Sequence, residues 1–245
     1  MTNGLRSVLL EMLKRPTARD KQRLIGPSSL GNPCDHCLAQ ELLEEALDED
    51  VEPEDRPYWL GAVLGTATHM LLEDRVPKGC QAESRVTIGE IPGYGVVSGS
   101  TDLMRLKENQ VVDWKTTSRE KLKNLKLAFE TKPSPYDPDP LLRARFTHKK
   151  YIGQIMSYGW GWEQAGYKVD TVGFGFICRD GLTDNDVWCK ELDYDRAYAE
   201  QVWERVNRVW QALQDGRKLD SFLSKTACYS CMTTAEPRKF SKRPY

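Results

Sequence analysis

The sequence predicts an α/β fold: a central mixed β-sheet with helices on both faces. Three observations carry that expectation. Strand-like segments near 82–89, 94–107 and 111–117 follow one another closely, and two more strands come later, after long helical patterns. The stretch GSTDLMRLKENQVVDWKTT, residues 99–117, has apolar residues flanking both of its strands on either face, as in a sheet covered by helices. The 245 residues are also enough for one large domain with a substantial core.

In chain order, residues 4–15 read as an amphipathic helix and 16–33 as a polar loop ending in Gly31, Asn32 and Pro33. Helix resumes after Cys34. DEDVEPEDRP, 48–57, reads as an exposed acidic linker, and YWLGAVLGTATHMLLEDRV, 58–76, as a largely buried helix. After the three strands, a basic helix at 119–131 leads into the proline-rich loop KPSPYDPDP. THKKYIGQIMSYGWGWEQAGY forms the next long helix, and DTVGFGFICRD and DVWCKELD are further strands. A last helix, 195–215, carries the aromatic stripe Tyr198, Trp203 and Trp210, which suits a core. No internal repeat is present. The organisation expected is one domain over 1–245 with its core at about 58–192. Residues 1–57 and 193–231 form an accessory subdomain stapled by metal, and 232–245 are a tail.

Lys plus Arg number 35 against 36 Asp plus Glu, a net charge of −1, so no global basic footprint exists. The distribution is uneven. Residues 35–56 hold ten acids and one base, whereas 119–150 hold nine Lys or Arg against four acids, giving a local basic surface. No run approaches the roughly 18 apolar residues of a membrane span, and MTNGLRSVLLEMLKRP lacks a signal-peptide pattern, so a cytoplasmic protein with no membrane partner is expected. Seven cysteines in such a chain point to metal or packing before disulfides.

The hairpin at 99–117 carries the chemistry. With Glu108 and Asn109 as its loop, Asp102 lies across from Lys115. Asp113 shares their face, and Val112 and Trp114 point to the other. A cross-strand Asp and Lys pair is common on solvated faces, where it contributes a few tenths to about 1 kcal/mol. Burying two acids and one base is costly without a further partner, and a divalent cation between the carboxylates removes the objection, because hard oxygen ligands suit Mg²⁺ or Mn²⁺.

GTATHMLLE with His69, GSTD with Asp102, VVDWK with Asp113 and Lys115, and QIMSY with Gln154 and Tyr158 resemble the ordered motifs of the PD-(D/E)XK nuclease superfamily. The nearest branch is RecB-like, which includes CRISPR-associated exonucleases and phage recombination exonucleases, and the resemblance spans about residues 28–231. It implies a PD-(D/E)XK restriction-endonuclease-like core. His69, Asp102 and Asp113 would then be metal ligands, Lys115 the catalytic lysine, and Gln154 and Tyr158 the Q-x-x-x-Y pair. The chemistry agrees: phosphodiester hydrolysis needs an attacking hydroxide and neutralisation of charge on the phosphoryl and leaving oxygens. His69 adds a nitrogen donor that suits Mn²⁺ somewhat better than Mg²⁺. Glu83 and Glu73 are candidates to hold a water or second metal, with Glu83 ranked first because the family often places an acid there.

Gln154, Tyr158 and Lys150 fall on one helical face that suits a DNA backbone, and the basic segment containing Lys121, Arg143, Arg145, Lys149 and Lys150 forms a funnel for a strand. Tyr151, Trp160 and Trp162 are stacking candidates, with burial expected for at least two of them. Cys34 and Cys37 in PCDHC, and Cys228 and Cys231 in CYSC, form two C-x-x-C pairs that would staple the two ends of the chain around a tetrahedral metal, with His36 a spare ligand. Double C-x-x-C spacing is the commoner pattern for Zn²⁺. The related iron–sulfur nucleases place one cysteine before the core and three after it, and resemblance to them implies [4Fe–4S]. Cys80, Cys178 and Cys189 read as packing residues. The reading is a metal-dependent DNA exonuclease acting on ends or single strands in phage-type recombination, replication or repair, with a single-strand annealing or other recombination protein as partner. Two others share its residues: a nuclease-fold module that only binds nucleic acid or protein, and a CRISPR spacer-acquisition nuclease.

Overall fold

The computed structural model describes residues 5–14, 24–47, 60–133 and 140–223, with Cys228 and Cys231. The acidic linker, most of the proline-rich loop and the tail lie outside the described residues. Helices α1 (Leu5–Lys14), α2 (Pro27–Leu30), α3 (Asp35–Leu47) and α4 (Leu60–Glu73) precede strands β1 (Cys80–Ile91), β2 (Gly95–Arg105) and β3 (Gln110–Thr117). Helices α5 (Arg119–Glu130) and α6 (Leu142–Gln164) then lead to β4 (Thr171–Cys178) and β5 (Val187–Asp193), and α7 (Arg196–Gln214) follows. The sheet order is β1-β2-β3-β4-β5. β3 and β4 run parallel, from Gln110 opposite Thr171 to Thr117 opposite Cys178, and the other neighbours are antiparallel, so the sheet is mixed with helices against it.

The parallel pair is the buried centre, as strands covered on both faces should be. Val111, Val172 and Phe176 are fully buried, and Phe129, Tyr151 and Trp188 surround the Phe174 and Phe176 rings. Between the parallel strands the chain crosses over through two helices. Ser118 caps the first by accepting from the Lys121 amide, and Arg145 closes its far end by donating to the Thr131 and Lys132 carbonyls. Asp195 caps α7 in the same way as Ser118, through the Tyr198 amide. Trp210 is buried on α7, with Tyr198 and Trp203 packed against the core, as the aromatic stripe implied.

Three expectations need correction. The polar stretch before Cys34 contains the short helix α2, begun by Pro27 at its first position. Apolar composition made α4 look largely buried, yet none of its residues is buried, and Leu60, Leu64, Met70 and Leu71 are exposed. Its sheet-facing stripe is the small residues Gly61 and Gly65 together with His69, which bring the helix backbone close to Arg179 and Thr116. Of the three cysteines assigned to packing, Cys178 is buried and Cys80 half-buried, but Cys189 is exposed.

α2 and α6 meet backbone to backbone. A β-carbon on Gly153 would lie 2.6 Å from the Gly31 Cα, and one on Gly31 would lie 2.7 Å from the Gln154 amide nitrogen. Only two glycines permit this approach. It seats the turn before Cys34 against the middle of α6, at the residue that reaches into the site described next.

Candidate active site

The site begins with two strand irregularities. In the β1–β2 ladder Ala82 pairs with Leu103 and Ser84 with Thr101, so Glu83 falls opposite Asp102. Glu83 has φ +45°, left-handed backbone that a residue with a side chain seldom adopts. The β2–β3 ladder runs only from Arg105–Gln110 to Leu103–Val112, and beyond it the strands part. Asp102 stands in that opening. Its Oδ2 accepts from the Trp114 amide at 2.6 Å, and its Oδ1 lies 2.9 Å from His69 Nδ1. Glu83 Oε1 is 4.0 Å from the same His69 nitrogen. One donor atom each from His69, Glu83 and Asp102 lies within 4.8 Å of the others, and such an N,O,O set fits a hard divalent cation.

Asp113 and Lys115 follow on the same face of β3. The observed register differs from the expected one by two residues, because the loop spans four residues, 106–109, instead of Glu108 and Asn109 alone. Asp102 therefore lies level with Asp113, not with Lys115; the shared face is unchanged, since a shift of two preserves the alternation. Asp113 is not in the His69, Glu83 and Asp102 group. Lys115 Nζ sits 2.7 Å from Asp113 Oδ2 and donates to Gln154 Oε1 at 3.1 Å, while Gln154 Nε2 donates to Asp113 Oδ1 at 3.3 Å. Burial pushes the Asp113 carboxyl up to about 6, against the pull of Lys115. Burial alone would lower the Lys115 ammonium, but Asp113, Tyr151 and Asp102 outweigh it and the group is raised, hence cationic. The Tyr151 ring lies 5.1 Å from Nζ.

Gln154 and Tyr158 are buried, not aligned along a DNA-facing stripe. Gln154 braces Lys115 and Asp113, and Tyr158 packs in the core, where burial raises its phenol. Trp162 is buried and donates to Thr101, and Trp160 donates to the Ile88 carbonyl, so both indoles serve packing. The basic segment is divided as well. Arg119 is paired with Asp186 and Arg145 with the carbonyls at the end of α5, whereas Lys121, Arg143 and Lys149 are exposed and Lys150 is half-buried. Glu73, at the end of α4, is exposed. Sequence reasoning missed the bracing role of Gln154, for which its position one turn after Lys150 gives no signal.

The four cysteines converge as the paired spacing implied. Cys37 Sγ lies 3.5 Å from Cys228 Sγ and 3.6 Å from Cys231 Sγ, and Cys34 Sγ lies 3.7 Å from Cys231 Sγ. All four fall within 4.8 Å of one another. Proton sharing with Cys37 brings Cys34 down to about 5, and Cys37, bonded to Cys34 and buried, is driven up. Thiols this close cannot all ionise without a cation among them. The Cys231 amide donates to Cys228 Sγ at 3.2 Å, His36 Nδ1 lies 3.6 Å from Cys231 Sγ, and Asn32 Oδ1 accepts from the Cys34 amide.

No family model matches the chain, and no curated protein matches it in sequence. Solved structures do. An alkaline exonuclease from Laribacter hongkongensis superposes with TM-score 0.50 at 12% identity, over 80% of this chain and 90% of that one. A phage related exonuclease from Haemophilus somnus 129PT gives 0.49 at 13%, over 80% and 96%. SSO0001 gives 0.45 at 15%, over 90% and 93%. At such identities the likeness is one of fold, and of these three superpositions the first carries it.

Proposed function

With a PD-(D/E)XK exonuclease-like fold as the premise, we propose that this chain is a divalent-metal-dependent deoxyribonuclease that degrades DNA from ends or single strands. The observation that carries the reading is the convergence of buried Asp102 and Asp113 with half-buried Lys115 beside His69 and Glu83, a combination too costly to withdraw from water for packing alone. His69, Asp102 and Glu83 are the residues to hold Mg²⁺ or Mn²⁺, and Asp113 stands next to them against Lys115 and Gln154. The cation, when bound, supplies Lewis acidity toward the scissile phosphoryl group. Lys115 holds a fixed positive charge where the phosphoryl oxygens become more negative, and it orients the attacking water. Gln154 keeps the Lys115 ammonium aimed by accepting a hydrogen bond from it, and Asp113 keeps it charged. Exposed Lys121, Arg143 and Lys149, with Lys150, supply phosphate contacts along α5 and α6. The motif resemblance supports a setting in phage-type recombination, replication or repair, with a single-strand annealing or other recombination protein as partner.

The test is degradation of end-labelled linear and circular DNA in Mg²⁺ or Mn²⁺, alongside calorimetric metal titration. Asp102→Asn is expected to lose metal affinity. Lys115→Ala is expected to keep metal and DNA but lose on the order of 10² to 10³ in rate, as for one preorganised electrostatic group. Full activity in either folded variant would overturn the assignment. Circular DNA cut as fast as linear would overturn the exonuclease reading.

A further inference from the structure

The nuclease reading says nothing about what binds the four thiolates, and the implied iron–sulfur group fits them poorly. We infer that Cys34, Cys37, Cys228 and Cys231 hold one tetrahedral ion of the zinc class, not a four-iron cluster. A tetrahedron of sulfurs each about 2.3 Å from a central ion has edges of about 3.8 Å. The sulfur separations of 3.5, 3.6 and 3.7 Å match that edge. A cubane cluster occupies the middle of its ligands and holds the thiolates at its corners about 6 Å apart. Opening the group that far would mean moving Cys34 and Cys37, which are buried. The same distances are far beyond the roughly 2.05 Å of a disulfide, so oxidation does not account for the packing.

The surroundings fit a compact anionic centre. Four thiolates around a dication leave two negative charges, and this chain places an amide donor and an imidazole against them. The Cys231 amide reaches Cys228 Sγ at 3.2 Å, and the His36 ring nitrogen stands 3.6 Å from Cys231 Sγ. Arg205, on α7, donates to Asp35 Oδ1 at 2.7 Å and to the Asn32 carbonyl at 2.6 Å, and so ties the Cys34 turn to the core from the other side. The ion would fix this turn where Gly31 meets Gly153.

The test uses the full chain purified without oxygen, assayed for zinc, iron and acid-labile sulfide, and then exchanged with Co²⁺. Expected are about one zinc per chain, no labile sulfide, and in the cobalt form the visible bands of a tetrahedral tetrathiolate near about 700 nm. Cys228→Ser should shift those bands by replacing a sulfur donor with oxygen. Iron and sulfide at about four each per chain, with absorbance near about 400 nm, would overturn the inference. So would folded protein whose cobalt spectrum lacks thiolate charge transfer. The readout is metal and spectrum, so the outcome is separable from that of the nuclease assay.

Discussion

Glu83 is held in a conformation that glycine would adopt with less strain. Its φ of +45° disfavours any residue with a β-carbon, and strain of this kind tends to persist where side-chain placement requires it. Glu83→Gly should therefore raise stability by about 1 kcal/mol while weakening cation affinity. Thermal unfolding with and without Mn²⁺ reads both effects, and a variant that loses stability without metal would show the backbone to be unstrained. The shared face of Asp102, Asp113 and Lys115 was legible in the sequence because alternation along a strand depends only on parity. Their pairing was not, because ENQ marks a turn without revealing that Leu106 and Lys107 also belong to it. No propensity signals a left-handed glutamate. Gln154 misled for a related reason: helical spacing gives the face but not what lies opposite, and here that is Asp113 and Lys115.

Among the elements, strands and most long helices were legible nearly to their ends, since β-branched runs and capping residues such as Ser118 and Asp195 are local signals, whereas α6, with no side-chain cap at Leu141, begins five residues before the expected Thr147. Burial of α4 was not, because an apolar helix reads as buried whether or not partners exist on all sides. The α2–α6 crossing brings two backbones together, and Gly153→Ala is expected to cost about 2 to 3 kcal/mol by pushing the Gly31 backbone away. Chemical denaturation measures it, and a neutral result would mean that the turn moves freely. On α6 two basic residues should separate by role. Arg145→Ala should lower stability by about 1 kcal/mol through the lost bonds to the end of α5, leaving the salt dependence of DNA binding unchanged. Lys149→Glu should instead flatten the slope of log affinity against log salt by at least about one, with little change in stability. Equal slopes for the two variants would relocate the DNA path.

Across the whole molecule, the mixed sheet was legible from the alternation of strands and helices, and the approach of the four cysteines from their spacing. A metal that binds only the assembled ligands adds its binding free energy to folding. Stripping the full chain with a strong thiol-compatible chelator is therefore expected to lower its unfolding temperature by roughly 5 °C or more. Calorimetry before and after stripping checks this, and an unchanged transition would make the thiolate group a bystander to stability.

Cys34 and Cys231 meet across a separation of 197 residues. A chain made from its N-terminus carries Asp102, Asp113, Lys115 and Gln154 out of the ribosome well before its last ligand pair, by several seconds at about 5 to 20 residues per second. Through that interval the turn seated on α6 lacks half of the sulfurs that hold it. The turn before Cys34 is thus held only from α6 and α7 until Cys228 and Cys231 emerge, and the order of synthesis sets when the framework around Gln154 closes.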